Sequence, residues 1–169
     1  MNAIYLIFIW FIHMLKNRHM VSKKEKKEII REIEENLGCK IDGEIEIADY
    51  EKIKVLFING KLHGLIIDDI PFLNVEGLKE YKASKKFVIV DDGAIKPILN
   101  GADVMAAGII NADENIKKGN LVWIRDERGL PIAIGKALID GKEMKNLKKG
   151  KAVENIHHIG DKIWKMATE

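Results

Sequence analysis

The residues best placed to do chemistry surround Gly93-Ala94, which follows the short apolar run Phe87-Val-Ile-Val90 and precedes a stretch suited to a brief helix. Small residues at such a junction remove the steric wall around the backbone, and a helix N-terminus presents unpaired N–H groups that a phosphate can approach. The same pair also suits an ordinary strand-to-helix turn that needs a glycine. Lys96 lies one helical turn beyond Gly93, where its ammonium adds a point charge. Gly101-Ala102 and Gly108 can let a ribose or a base edge rest on the backbone, and they can equally serve tight packing. Met105 shares one side of the alternating segment Val104–Ile110 with Asp103 and Ile109. Core filling is its default role, and an apolar shelf for a base is the sharper one.

Catalytic constellations are missing. His63, His157 and His158 have no neighbouring cysteine or carboxylate at a metal-ligand spacing. There is no glycine-rich nucleotide loop and no Gly-x-Ser-x-Gly elbow. Asp91-Asp92 is the one tempting carboxylate pair, but adjacent extended residues point to opposite faces. The expectation is therefore no catalytic residue, no metal and no cofactor. A single cysteine, Cys39, excludes an internal disulfide framework and a cysteine-based zinc site.

The chain has 169 residues, enough for one good-sized domain or two small ones. Its net charge of +2 does not by itself mark a polyanion binder, but the charge is unevenly placed. Residues 1–27 sum to +5, residues 28–84 to −6 and residues 85–169 to +3. Lys16, Arg18, Lys23, Lys24, Lys26 and Lys27 form the densest basic run, which reads either as a polyanion-facing surface or as the solvated face of a helix. Only four of the 28 bases are arginine. Lysine acts on phosphate as a point charge and lacks the planar fork that reads guanine, so contact to backbone and shape with modest sequence preference is expected.

Several elements announce themselves. Ser22-Lys-Lys-Glu25 is a capping box; Ile29, Ile30, Ile33 and Leu37 recur at helical spacing, and Gly38 stops a helix over Lys23–Leu37. Alternation then predicts strands over residues 41–47 and 53–57, with Asn59-Gly60 as a two-residue hairpin turn before a strand over 62–67. Pro71 is read as a break and Val75–Tyr81 as a short helix. Beyond Lys85, strands are expected at 87–90, 104–110, 121–125, 131–139, 151–159 and 161–166. Short helices are expected over 94–99, with Pro97 in the first turn, and over 143–147. Many short strands joined by glycine-bearing turns suggest a small barrel. Ala3–Ile12 is an unbroken apolar run too short to cross a bilayer and without the flanks of a signal peptide. A start at Met14, a peripheral anchor and a packed strand are its competing explanations.

The segment Val90-Asp-Asp-Gly-Ala-Ile-Lys-Pro-Ile-Leu-Asn-Gly-Ala-Asp-Val-Met-Ala-Ala-Gly-Ile109 resembles the opening of a PUA domain, and Lys149–Trp164 resembles its closing strands. Glu154-Asn-Ile-His157 and Asp161-Lys-Ile-Trp164 are similar to the malignant-T-cell-amplified-sequence family and its archaeal relatives. Lys16-Asn-Arg-His-Met-Val-Ser-Lys-Lys-Glu25 resembles the start of the archaeal members. The likeness spans nearly all of residues 14–166, but residues 70–86 lack the Pro-rich approach of the eukaryotic members, which puts a eukaryotic-type partner surface there in doubt. The resemblance implies an α+β chain: residues 1–13 as a hydrophobic extension, 14–84 as a small α/β pre-PUA domain, and 85–169 as a PUA-type β pseudo-barrel. It also implies a non-enzymatic, cytoplasmic RNA-binding protein acting with tRNA and the small ribosomal subunit in translation initiation or recycling. The implied partners are the tRNA acceptor end, small-subunit rRNA and a translation initiation factor, without stable membrane association. Its RNA-facing residues would be Gly93, Ala94, Lys96, Gly101, Met105, Gly108 and Lys151, with Lys16, Arg18, Lys23, Lys24 and Lys27 as a second basic surface. Trp123, Trp164 and His157 are further candidates for base stacking. An accessory factor for tRNA or rRNA modification, or a protein–protein adaptor without RNA binding, is the alternative.

Overall fold

The computed structural model describes residues 2–169. The apolar run forms helix α1 (Ala3–Met14), not a packed strand, and its Ile4, Tyr5, Leu6, Ile7 and Trp10 remain 43–66% exposed. Among the described residues no helix is long and apolar enough to cross a membrane. Strand β1 (Leu15–Met20) follows, then α2 (Lys23–Leu37). The Ser22 hydroxyl accepts from the Glu25 N–H at 3.1 Å, and Gly38 closes the helix at φ 64°. Ile29, Ile33 and Leu37 form the buried stripe that the sequence spacing predicts.

That stripe packs on an antiparallel sheet of β1, β2 (Ile45–Tyr50), β3 (Ile53–Ile58), β4 (Lys61–Ile67) and β5 (Ile70–Leu73), in that order. Asn59 and Gly60 both take positive φ, 52° and 80°, as the expected turn requires. Pro71 does not break the chain. It lies in edge strand β5 opposite Ile66, where the outer position tolerates a missing donor. A second tight turn, Asp68-Asp69 with φ 51° and 62°, sends the chain back into that strand. Helix α3 (Val75–Tyr81) forms as expected, capped by Asn74.

The second half is built from β6 (Phe87–Val90), α4 (Asp92–Leu99), β7 (Val104–Met105), a 3-10 turn at Ala106–Gly108, and β8 (Ile109–Ala112). Next come β9 (Leu121–Arg125), β10 (Pro131–Ala137), α5 (Gly141–Met144), β11 (Lys151–His158) and α6 (Lys162–Thr168). The strands form one sheet in the order β7-β11-β10-β9-β6-β8. Its edge strands β7 and β8 are joined by the 3-10 turn, so the sheet curls into a nearly closed barrel around Val88, Val104, Ile124 and Val153. The expected α+β architecture, a small mixed domain followed by a β pseudo-barrel, is what the structure shows.

Four local expectations change. The strand expected at 104–110 is interrupted by the 3-10 turn, which buries Ala106 and Ile109 and leaves Met105 outside. Pro97 lies in the second turn of α4, so the Gly93 carbonyl loses its α-helical donor. The short helix expected at 143–147 forms earlier, as α5. Residues 162–168 are helical rather than a closing strand. There Asp161 accepts from the Trp164 N–H at 2.8 Å, and Ile163, Met166 and Ala167 make one stripe against the first core.

That helix joins the two halves. The first core also takes in Leu121, Trp123 and Ile134 from the barrel, and the Trp123 Nε1 donates to the Lys85 carbonyl at 2.7 Å. His157, fully buried, accepts at Nε2 from the Val75 N–H at 3.3 Å and meets the Asp161 carboxylate through Nδ1 at 2.8 Å. Burial opposes ionisation of Asp161, but hydrogen bonds from His157 and from the Trp164 and His158 amides outweigh it and hold its carboxyl below the usual value of 3.8. A depressed carboxyl contributes stability that is fully present above its unfolded pKa and is lost as pH falls through its folded one. Asp161→Asn should therefore cost about 2–4 kcal/mol at neutral pH. Equilibrium denaturation should show the gap between wild type and variant narrowing as pH drops below 3.8.

Candidate nucleic-acid interface

Gly93, Ala94, Met105 and Gly108 come together, as the sequence spacing alone could not establish. With Asp91 and Asp103 they line a cleft of about 290 Å³ between α4 and the β7 edge. Its glycines differ in kind. A Cβ on Gly108 would lie 2.9 Å from the Ala94 Cβ, so packing demands glycine there. Gly101 needs its φ of +91°, and it is not part of the cleft wall. At Gly93 a Cβ would meet only Asp91 Oδ1, at an ordinary 3.5 Å, so the fold makes no demand for glycine. Met105 stands at the cleft with 46% of its surface exposed, which corrects the core-filling expectation.

The electrostatics also depart from expectation. The N–H of Ala94 is not free for a phosphate: it donates to Asp91 Oδ1 at 3.0 Å, and Asp92 adds a second acid to the first turn of α4. Asp103, opposite, accepts from the Asn155 N–H at 2.9 Å and pairs with Lys151 Nζ at 3.1 Å. The Asn155 amide first, and Lys151 second, hold its carboxyl below the usual range. The cleft is therefore mostly apolar with acceptors at Asp91 and Asp103, which suits an apolar base face and hydroxyl or amino donors such as those of a ribose and a base edge. Lys96 is exposed on α4 outside the wall, and Lys151 contributes through Asp103.

Two proposed stacking residues are withdrawn into the fold. Trp123 is 5% exposed and hydrogen-bonded to Lys85, and His157 is the buried bridge described above. Trp164 is half-buried. His157 does have a carboxylate beside it, that of Asp161 four residues on, in a structural pair rather than a metal site. Among the described residues no group of histidine, cysteine and carboxylate side chains could hold a metal.

The basic head divides as well. Arg18 is held by Glu46 at 3.0 Å and lies 3.7 Å over the Phe57 ring centroid, while Lys26 pairs with Glu44 at 3.1 Å. Lys16, on β1, and Lys23, Lys24 and Lys27, at the start of α2, stay exposed, with no ion pair among the described residues.

A family model described as the PUA domain matches residues 86–159, and one for a domain of unknown function, DUF1947, matches residues 17–73. Over 156 residues the chain is 42% identical to an uncharacterized protein of Methanocaldococcus jannaschii, covering 89% of this chain and 96% of that one. The chain belongs to this PUA-domain family. It is 29% identical over 157 residues to translation machinery-associated protein 20 of Saccharomyces cerevisiae, covering 89% of this chain and 77% of the relative. Malignant T-cell-amplified sequence 1 of Rattus norvegicus is 28% identical over 124 residues, with 70% and 68% covered. The crystal structure of a hypothetical protein from Pyrococcus horikoshii OT3 superposes with a TM-score of 0.79 at 37% identity, covering 89% of this chain and 99% of that one. The PUA match spans β6 to β11 and gives the protein an RNA-binding fold. Helices α3 and α6, the two elements that His157 and Asp161 fasten, fall outside both matches.

The glycines give a direct test of this geometry. Gly108→Ala should cost about 1–3 kcal/mol from overpacking against Ala94. Gly93→Ala, in an open helical position, should be neutral or stabilising by up to about 1 kcal/mol. Thermal melts followed by circular dichroism separate the two.

Proposed function

We propose that this PUA protein is a non-enzymatic RNA-binding factor that brings a single-stranded tRNA acceptor end and small-subunit rRNA together during translation initiation or recycling. The observation that carries this reading is the cleft at Gly93. It has an open backbone, acceptors at Asp91 and Asp103, and an exposed Met105 on which a base can rest. A strand's end offers unpaired hydroxyl and amino donors that fit such a site. The exposed Lys23, Lys24 and Lys27 suit instead a continuous phosphate ridge, as on duplex rRNA. The naming of relatives along most of the chain as translation machinery proteins supports the same reading. In this role the protein needs no cofactor and works in the cytoplasm, with an initiation factor as a protein partner.

The test is filter binding of tRNA and of isolated small subunits at two salt concentrations. Retention of both should fall as salt rises. Lys23→Glu with Lys24→Glu should weaken subunit binding and lower its salt slope by about 1.8, at roughly 0.9 per lost phosphate contact, while sparing tRNA. Gly93→Val should weaken tRNA and spare the subunit. Equal loss of both ligands in both variants would mean one continuous surface. Retention of neither RNA at either salt would point to an adaptor.

A further inference from the structure

A second groove, of about 590 Å³, lies between the end of α3, the 82–86 connection and the β9–β10 hairpin. Its ionisable lining residues are Lys79, Lys82, Arg125 and Arg128, so every one of them is a base. Two of the four arginines in the chain are gathered here.

The cations are not equally engaged. Lys79 is paired with Glu76 at 3.1 Å. Arg128 lies 3.7 Å from Asp126, whose carboxylate already accepts from the Arg128 and Leu130 amides within the hairpin turn. Arg125 and Lys82 meet no carboxylate among the described residues. Arg125 is also half-buried, and its guanidinium lies 5.5 Å from the Phe87 ring centroid. A partly desolvated guanidinium with no anion is unfavourable by itself and becomes favourable when a ligand supplies one.

The local shape keeps that group presented. Gly129 has φ +95°, and a Cβ there would sit 3.2 Å from Arg125 Nη1, so glycine leaves room for the guanidinium beside the turn. Phe87 is half-buried, and Leu130 exposes 45% of its surface in the same groove. Together these put apolar and cationic surface side by side in the groove, whose lining also includes Lys82 and Arg128.

The geometry points to a second RNA subsite here, one that takes an unpaired nucleotide: its base against the Phe87–Arg125 surface and its phosphate against Lys82 and Arg128. This inference rests on the reading of the protein as an RNA-binding factor and adds a subsite built from both domains. An acidic peptide would satisfy the charges but would leave the Phe87–Arg125 surface unused, and a base uses both.

The experiment uses the full chain and a single-stranded RNA decamer carrying 2-aminopurine, whose fluorescence falls when it stacks. Arg125→Met keeps the side-chain stem over Phe87 and removes the charge. It should weaken binding roughly tenfold and abolish part of the quenching while leaving the salt slope near that of wild type, because Arg125 faces the base. Arg125→Lys should not restore the quenching, because it returns the charge without the plane. Lys82→Glu, at the exposed C-cap of α3, should weaken binding and lower the salt slope by about 0.7 without changing the quenching of what remains bound, and its circular dichroism spectrum should match wild type. If the decamer binds and all three variants match wild type, the groove is not an RNA subsite, and the wider RNA-binding reading stands. If wild type binds no RNA, both fall. Displacement of the decamer by an equimolar poly-glutamate peptide would overturn the assignment in favour of a protein partner.

Discussion

The buried imidazole of His157 is the constraint on which the joined structure depends. Its Nε2 accepts the Val75 N–H, so the ring proton must sit on Nδ1, facing Asp161. Val75 opens α3, and its amide is one of the donors that a helix start leaves without an internal partner. A residue 82 positions away, in the other domain, supplies the missing acceptor. Asp161 fixes the tautomer and caps α6 with the same carboxylate. One side-chain pair thereby fastens both helices that pack across the domain boundary. The groove beside α3 has fixed walls for that reason.

Ion pairing decides which cations remain for a polyanion. Exposed pairs such as Arg18–Glu46, Lys26–Glu44 and Lys79–Glu76 add little to stability. Their effect is to remove Arg18 and Lys26 from the basic head that the sequence suggests, and Lys79 from the groove beside α3. Among the cations that stay exposed without an ion pair are Lys23, Lys24 and Lys27 at the start of α2 and Lys82 in the groove beside α3. Charge runs in a sequence overstate a binding surface whenever strands bring acids alongside, as β2 brings Glu46 beside β1.

The legible parts of the sequence were those with local signals. Ser22 and Gly38 bracket α2 and Asn59-Gly60 marks its hairpin, because each signal acts within a few residues. The misread parts depend on distant partners. Pro71 stays in a strand because β5 is an edge, and nothing local says which strand is outermost. Residues 161–166 alternate well enough for a strand, but Asp161 is recruited by His157 and becomes a cap. The site was legible in the same measure. Gly93, Ala94, Met105 and Gly108 share one cleft, while Gly101 and Lys96 lie outside it and Arg18 is spent on Glu46. The approach of Arg125 to the Phe87 ring joins residues 38 positions apart, and only the parallel pairing of β6 with β9 brings them together.

The two clefts divide the chemistry of a nucleotide between them. The one at Gly93 is walled by Asp91 and Asp103, so it repels phosphate and favours hydroxyl and amino groups. The one at Arg125 has bases and no acid in its lining, so it favours phosphate and a π-face. A chain interior carries a phosphate on each side of every nucleoside, whereas a terminus presents a nucleoside with hydroxyls and no phosphate beyond it. On the proposed reading, the cleft with its acidic wall would therefore discriminate for an end, and the basic groove would tolerate an interior. A strand that ends in the first site has its phosphates directed away from it, toward surfaces of opposite sign. The order of charge along the protein thus sets the direction in which such a strand can lie.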